Sequence, residues 1–498
     1  MLIAIIAETT IDDLAATTHQ YQNDAEAFEW RLDFLSNIQM PSLKKIRANL
    51  TKPLILTLRP KAQGGYYSGS ESERWACLTK LAELHPDYID FESSIDRSLI
   101  AKFHKKHPSI RIILSYHNYS ETPEDLDGLL LSMKHPDVSV YKIIGTAQSS
   151  LDNLRVLHFV KNNANKCNLV AHCMGELGLP SRVLGGVVGS CFCYAKTNSI
   201  HEQSALDPAV KPRDDIGSKL IISCCPSLET LRDIYRIKQI NANTKIFALL
   251  GDPVEHSIGH VFHNKNFDAL GVNAVYVKFK VSKNELSLFF KYIQDLPFQG
   301  FSVTMPLKEA VIPYMQFIDP DCKSIGAINT IRIEDGQCYA TNTDGAGALD
   351  AIEKIQTIAN SKILLLGAGG AAKAIAYEAM KRKALSLTIV NRTLERAEAI
   401  AQHIPCTVYD FEAFQSQPTT TYDLLINTIP NTYDNDLLVL QLTQLLLTPT
   451  SCFMNIDYSE KQLALIAEIK QLGFKLIDAQ DMYANQARHQ ISYWLPHF

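Results

Sequence analysis

The sequence contains no apolar run of the roughly 18 residues that a membrane-spanning helix needs, so no membrane association is expected. It carries no large excess of one charge. Lys and Arg number 48 against 53 Asp and Glu, a net charge of −5. That balance gives no global reason to bind nucleic acid or an anionic membrane, and no basic DNA-reading segment stands out. No cysteines form a CxxC pair, and "CFC" (191–193) and "CC" (224–225) resemble neither a disulfide framework nor a zinc site. No metal is therefore expected. The 11 cysteines are odd in number and read as reduced thiols of a cytoplasmic protein. The opening "MLIAIIAETT" lacks a basic start and runs into Asp12 and Asp13, so it reads as a first strand rather than a signal peptide.

What is present is ordinary soluble-enzyme composition, 46% hydrophobic and 20% charged. The 498 residues suffice for two or three domains. In residues 1–200 short apolar strands recur: "LIAIIAE" from 2, "FEWRLDF" from 28, "LILTLRP" from 54, "YIDFE" from 88, "RIILSYH" from 111, "VYKIIGT" from 140, "NLVAHCM" from 168 and "GGVVGS" from 185. Most gaps hold amphipathic helical patterns such as "SERWACLTKLAELH" and "LDNLRVLHFVKNNA". Strand and helix alternating at this period require parallel pairing. Eight units in about 200 residues predict a (β/α)8 barrel.

Polar residues interrupt these strands at one end. Glu29 and Arg31 share side-chain parity in strand two. Arg59, Glu92 and His117 end strands three, four and five. Lys142 sits inside strand six, and Arg182 follows strand seven in what reads as a loop. The C-terminal strand ends of a barrel converge on one mouth, where catalytic residues sit. Each residue has a plainer reading alone: Lys142 as a snorkelling lysine, His117 as a hydrogen-bonded structural histidine, Glu29 with Arg31 as a wall ion pair, Arg59 as a binder of loop carbonyls. Seven polar groups at one mouth fit that less well, because unpaired buried charges are costly. A desolvated lysine is nucleophilic toward ketones and gives a Schiff base. The iminium acidifies the adjacent carbon, a histidine can take that proton, and arginines clamp a carboxylate. The residues alone thus predict a Schiff-base aldolase or dehydratase of a keto acid.

The motifs "EWRLD", "LTLRP", "DYIDFE", "SYHNY", "YKI" and "MGELGLPSRV" occur in the order seen in type I 3-dehydroquinate dehydratases, and residues 1–200 resemble that family. The resemblance implies that Lys142 forms the Schiff base, that His117 is the general acid/base, and that Glu29, Arg31, Arg59 and Arg182 hold the substrate. Two departures stand out. In "RPKAQGG", Gln63 replaces a glutamate that supports the histidine in the family. Of the family's Ser-Ala-Pro-Gly-Gln lid only Ser204, a substrate-binding candidate, and Ala205 remain.

Further along, "KILLLGAGGAAKAIAYEAM" (362–380) runs an apolar strand into a GxGxxA loop that opens a helix. Gly367, Ala368, Gly369, Gly370 and Ala371 are the loop candidates for a dinucleotide. Gly367 permits the tight turn, Gly369 lets backbone approach a pyrophosphate, and small Ala372 allows helix–strand packing. The helix N-terminus faces the phosphates. The next strand, "LSLTIV", is followed by "NRTLERA" rather than by the acidic residue of an NAD site. Arg392 and Arg396 could flank a 2′-phosphate, with Asn391 and Thr393 as hydrogen-bonding partners, so NADP(H) is the expected cofactor. The plainer reading is a helix start with exposed arginines.

Four short motifs precede the glycine loop: "GDPVEHSIGHVFHN" with Ser257 before a helix, "GFSVTMPLKEA" with Thr304 and Lys308 at a strand end, "AINTI" with Asn329, and "TNTDGAG" with Asp344. Singly, Lys308 could be an exposed helix-start lysine, Asn329 a turn residue and Asp344 an N-cap. Together with the glycine loop, "NRTLER", "NIDY" and "DMYANQA", they make residues 245–498 resemble the shikimate dehydrogenases. The resemblance implies that Lys308 and Asp344 are the catalytic pair, and that Ser257, Thr304, Asn329, Asp344, Tyr458 and Gln486 bind a cyclohexene carboxylate and its hydroxyls. Gly259 stands where the family has a second serine, and Ala479 where a glycine approaches the nicotinamide.

The expected architecture is α/β throughout. A type I dehydroquinase (β/α)8 barrel spans 1–215 and a connector 216–244. A shikimate dehydrogenase substrate domain spans 245–345, a Rossmann NADP domain 346–475, and a returning C-terminal helix 476–498. The expected activity is dehydration of 3-dehydroquinate followed by NADPH-dependent reduction of 3-dehydroshikimate to shikimate, on small-molecule substrates only. Two alternatives remain: a dehydrogenase with a weakened or inactive barrel, and a metabolite-sensing regulatory homologue. The sequence is silent on oligomeric state.

Overall fold

In the computed structural model the described residues are 1–198, 225–417, 420–429, 433–457 and 463–496. They form two compact units. The first comprises Met1–Ile246, Asn264–Val281 and Ser287–Pro297. The second comprises Phe247–His263, Ser282–Leu286 and Phe298–Phe498.

The first unit carries eight strands: β1 (Leu2–Ile6), β2 (Ala27–Arg31), β3 (Leu54–Thr57), β4 (Tyr88–Glu92), β5 (Arg111–His117), β6 (Val140–Thr146), β7 (Leu169–Met174) and β8 (Cys193–Lys196). Each is hydrogen-bonded to its sequence neighbour in parallel from β1 to β7, and β8 pairs with β1. Between β7 and β8 the ring is nearly closed, with the Cys191 amide donating to the Leu169 carbonyl at 3.0 Å. The crossover helices start where the sequence supplies caps. Ser70 and Glu73 form a capping box on helix Glu71–Leu81, and Ser149 and Asp152 one on helix Ser150–Asn163.

Two sequence expectations are corrected here. The eighth strand is Cys193–Lys196, not "GGVVGS". Residues 185–190 are the turn that follows helix Leu179–Leu184. Val187 and Val188 are buried as a strand's would be, but apolar burial does not distinguish an extended backbone from a turn packed on the barrel. Gly189, at φ +102°, breaks any strand there. Arg182 consequently lies in that helix rather than in a loop. Within the connector, "LETLRDIYRIKQI" has helical spacing of its apolar residues yet holds a π turn, Thr230–Ile234, and a 3₁₀ turn, Ile237–Gln239, with Arg236 left-handed between them.

Strand β10 (Ala274–Lys280) belongs to the first unit. The second unit holds two sheets. In one, β9 (Lys245–Gly251), β11 (Phe298–Val303), β13 (Thr330–Glu334), β14 (Gln337–Thr341) and β12 (Phe317–Ile318) lie side by side in that order. The other is wholly parallel: β17 (Thr407–Tyr409), β16 (Ser386–Val390), β15 (Lys362–Leu366), β18 (Tyr422–Asn427), β19 (Leu447–Asn455) and β20 (Lys475–Ile477). Both of its faces are covered, which is why its strands read as unbroken apolar runs. Ile363 and Leu365 enter one core cluster, Leu364 and Leu366 the other. Strand order reverses between β15 and β18, the crevice where such sheets bind ligands.

Helix Asp344–Glu353 packs closely on helices Gly370–Lys381 and Ala479–Trp494. Glycine at 345 and 347 is a steric requirement. A Cβ at Gly345 would sit 2.3 Å from the Ala374 carbonyl, and one at Gly347 2.6 Å from Gln486. Among the described residues no helix is long and apolar enough to cross a membrane.

Candidate active sites

Strand alternation builds the barrel interior in layers. The floor is apolar: Ile3, Ala27, Ile55, Tyr88, Ile113, Val140, Val170, Phe192 and Tyr194. One step along β2 to β7, the same face carries Glu29, Thr57, Asp90, Ser115, Lys142 and His172. The next step brings Arg31, Arg59, Glu92 and His117. Apart from His117, all of these are buried.

Lys142 is 5% exposed. Its Nζ lies 3.3 Å from Asp90 Oδ2, 3.5 Å from Glu29 Oε1 and 4.0 Å above the Tyr194 ring centroid. The amine therefore does not snorkel. Glu29 Oε1 also accepts from the Thr57 hydroxyl at 2.7 Å. Arg59 donates to Glu92, Asp90 and Ser115 at 3.2, 3.2 and 2.9 Å, and Ser115 donates to Asp90 at 2.6 Å. Arg74, from helix Glu71–Leu81, reaches Glu92 at 2.5 Å. Arg31 makes a bidentate pair with Asp33 at 2.9 and 2.8 Å, not with Glu29. Arg182 donates from Nη1 to the Tyr194 carbonyl at 2.9 Å. Its other nitrogens have no hydrogen-bond partner among the described residues.

This charge lattice sets protonation. Burial would raise the Asp90 carboxyl, but Arg59 and Lys142 outweigh it and hold it below the ordinary value. Burial wins at Glu92, which is raised despite Arg59 and Arg74. His117 is driven well below its ordinary pKa by burial and by the charges of Arg59, Lys142 and Arg31. Its imidazole is neutral at neutral pH, with Nδ1 buried and unpartnered and Tyr119 stacked 6.1 Å away. A neutral imidazole here is a competent base.

Gln63, at the position of the family's glutamate, makes no hydrogen bond to the imidazole. Its side-chain amide donates to Ser94 Oγ at 2.7 Å, and its main-chain carbonyl accepts from the Tyr119 hydroxyl at 2.6 Å. Gln63 thus reaches the histidine only through the stacked tyrosine. Asp90 and His172 were missed in the sequence, although the alternation in "YIDFE" and "LVAHCM" places both on the inward face.

Three histidines whose imidazoles are held neutral, His117, His172 and His263, make stability pH-dependent. Burial lowers each, His263 to about 3. A pKa depressed on folding means the unfolded chain binds more protons at acid pH, so stability is full above the unfolded value of about 6.5 and falls below it. Urea midpoints measured from pH 7.5 to 5.5 are expected to hold and then fall, by up to about 1.4 kcal/mol per pH unit for each histidine. A midpoint flat to pH 5.5 would contradict this.

In the second unit Lys308 Nζ lies 2.5 Å from Asp344 Oδ2. Asp344 is the first residue of helix Asp344–Glu353, with Thr343 in the cap position, so its carboxylate is directed to Lys308 and not to a capping bond. Asn329 ties the site together. Its Nδ2 faces Asp344 Oδ1 at 2.8 Å, Thr343 Oγ1 at 3.0 Å and Gln486 Oε1 at 3.2 Å, while its Oδ1 accepts from the Thr343 amide at 2.8 Å and the Thr330 hydroxyl at 2.7 Å. Asn329 is 1% exposed, not an ordinary turn residue. Thr304 follows β11. Ser257 lies in the loop before helix Gly259–Ala269, its Oγ accepting from the Gly259 amide at 3.2 Å. Ser204 and Tyr458 lie outside the described residues.

The glycine loop meets this site. A Cβ on Gly370 would be 3.3 Å from Lys308 Cδ. Gly367 has φ +108°, open to glycine and strained for other residues. Nothing lies within 4 Å of a Cβ placed on Gly369, so that backbone presents an open face. Ala368 is buried and Ala371 partly so, at the start of helix Gly370–Lys381. Past β16, Arg392 and Arg396 are exposed and have no ion-pair partner among the described residues. Asn391 donates to the Thr393 carbonyl at 2.7 Å. Ala479 opens helix Ala479–Trp494. An open glycine face, a free helix start and two unpaired arginines fit a phosphorylated dinucleotide.

A parallel barrel with a buried lysine, joined to a two-sheet unit with a glycine loop, defines a lyase–oxidoreductase fusion. The type I 3-dehydroquinase family matches residues 2–210, the shikimate dehydrogenase substrate binding domain 249–331, and shikimate / quinate 5-dehydrogenase 350–430. A bifunctional 3-dehydroquinate dehydratase/shikimate dehydrogenase, chloroplastic, of Arabidopsis thaliana is 30% identical over 98% of this chain and 81% of its own length. A shikimate biosynthesis protein AroDE of Chlamydia pneumoniae is 30% identical over 95% of this chain and 91% of its own. A shikimate dehydrogenase (NADP(+)) of Staphylococcus aureus is 32% identical over 50% of this chain and 91% of its own. The chain belongs to the bifunctional 3-dehydroquinate dehydratase/shikimate dehydrogenase family.

Proposed function

We propose that this chain dehydrates 3-dehydroquinate to 3-dehydroshikimate in the barrel and reduces that ketone to shikimate in the second unit, as a cytoplasmic enzyme using NADP(H). The observation that carries the barrel reading is an amine that is almost wholly buried yet stands among groups suited to a keto acid. Lys142 bonds to the ketone carbon, two of its ammonium protons leave with the ketone oxygen as water, and the third stays on the iminium nitrogen. His117 takes a proton from the carbon beside the iminium and returns it to the departing hydroxyl. Arg31, Arg59 and Arg182, with Glu29, hold the carboxylate and hydroxyls. The pairs with Asp33, Asp90 and Glu92 fix two of those guanidiniums in place.

In the second unit, NADPH supplies a hydride when bound to the loop Gly367–Ala371 with Arg392 and Arg396 beside its 2′-phosphate. Lys308 stabilises the negative charge that develops on the substrate oxygen and gives it a proton. Asp344 and Asn329 orient the lysine and, with Ser257, Thr304 and Gln486, read the substrate's polar groups.

Two assays test the reading. With 3-dehydroquinate alone, enone absorbance should rise, and borohydride should trap ketone on Lys142. With shikimate and NADP, reduced cofactor should form. Absence of both barrel signals would remove the dehydratase. For cofactor choice, replacing Arg392 and Arg396 by Ser should raise the NADP KM by about 10- to 100-fold, from the loss of charge-assisted bonds. The NAD KM should move little. Equal loss for both cofactors would contradict the assignment.

A further inference from the structure

His172 is a buried titratable group that the mechanism above does not use. It lies on β7 two residues after the floor residue Val170, so it points into the barrel. Lys142 stands two residues after the floor residue Val140 on the adjacent strand. The β6–β7 register pairs Lys142 with Val170 and Ile144 with His172, which makes Lys142 and His172 diagonal neighbours on one inner layer. His117 stands one layer nearer the mouth, two residues beyond Ser115 on β5. The chamber thus holds two imidazoles at different heights, and the deeper one is level with the amine.

His172 is 5% exposed, yet neither ring nitrogen has a hydrogen-bond partner among the described residues. Buried polar groups are almost always paired, and an unpaired one is costly. A ring left open toward the chamber is therefore shaped for something that arrives there. The charged groups that bear on it are Arg182 and Lys142.

We propose that His172 is the proton-transfer group for the carbon–nitrogen bond at Lys142, leaving His117 to the carbon–hydrogen and carbon–hydroxyl steps. This rests on the Schiff-base reading above. His172 takes a proton from the Lys142 ammonium. The freed amine forms a bond to the carbonyl carbon, and the carbonyl electron pair moves to oxygen. The imidazole relays protons from nitrogen to that oxygen. Two of the three ammonium protons end on the oxygen, which leaves as water, and the third stays on the iminium nitrogen. Hydrolysis after dehydration runs the same relay in reverse. Burial, with the charges of Arg182 and Lys142, holds His172 well below its ordinary pKa. The ring is thus neutral and able to accept, and accepting the lysine's proton removes one of the charges that depress it.

The test uses the full chain with His172→Gln and His172→Leu, a cooperative urea transition of the barrel serving as the check that each variant is folded. Both variants should slow borohydride trapping of the ketone, and the dehydration kcat, by about 10²-fold. The deuterium isotope effect at the carbon that loses its proton should shrink, because imine formation becomes limiting. His117→Gln should instead leave trapping intact and stop dehydration. Trapping and isotope effect unchanged in His172→Leu would overturn the proposal, as would rescue by His172→Gln, since an amide can position but cannot relay a proton. Failure of the unsubstituted chain to trap ketone at all would instead sink the Schiff-base reading.

Discussion

Lys142→Ala is expected to abolish dehydration by at least about 10⁴-fold and to remove all borohydride-trapped adduct, because Lys142 is the buried amine that stands beside Glu29 and Asp90. Shikimate oxidation should stay within about twofold, since it depends on a separate compact unit. The same substitution has a cost in stability. Asp90 keeps Arg59 and Ser115, but Glu29 keeps only the neutral Thr57 hydroxyl among its direct contacts. Stripping one partner from a buried pair typically costs about 3 kcal/mol, so the barrel should unfold at lower denaturant while remaining folded in buffer. Lys142→Met, which retains the volume and removes the charge, separates cavity from electrostatics. A variant that keeps more than a few per cent of the dehydration rate would show that the amine is not the nucleophile.

Lys308→Ala should lower the shikimate oxidation kcat by about 10³-fold with a modest change in KM, the signature of a group that acts on charge developing at the reacting oxygen. Asp344→Asn should lower kcat too, but less, because the amide still accepts from Lys308 while losing the charge that fixes it. Asp344 also holds Asn329, which reaches Gln486, so its loss should raise the shikimate KM where loss of Lys308 does not. Dehydration should be untouched by either. Steady-state kinetics on both half-reactions decide it. Equal kcat effects, with KM unchanged in both variants, would mean that Asp344 plays no part in binding.

Much of this was legible in the sequence because the signals were periodic. Strands of the barrel announce themselves by alternation, and "KILLLGAGG" by an apolar run that ends in glycines. What escaped was what periodicity cannot encode. "GGVVGS" is apolar and buried yet forms a turn, whereas the eighth strand, "CYAK", carries a lysine and looks weaker. Parity leaves a wall ion pair of Arg31 with Glu29 as the plainer reading, but Asp33, just past the strand end, takes Arg31 in a bidentate grip. Gln63 was judged by the residue it replaces, and its real partner, Ser94, is 31 residues away in sequence. Asp90 and His172 were visible as polar residues on an inward face, and only their neighbours on adjacent strands give them meaning.

The apolar floor of the barrel has one more implication. With nine packed hydrocarbon and aromatic side chains across its base, the barrel is a well that the described residues close at its floor. Substrate, product and water therefore pass by way of the C-terminal strand ends. Water expelled when the imine forms must pass the bound ring or stay, so the well can keep the molecule that later hydrolyses the adduct. The floor thereby turns a structural plug into a reservoir for the final step of the cycle.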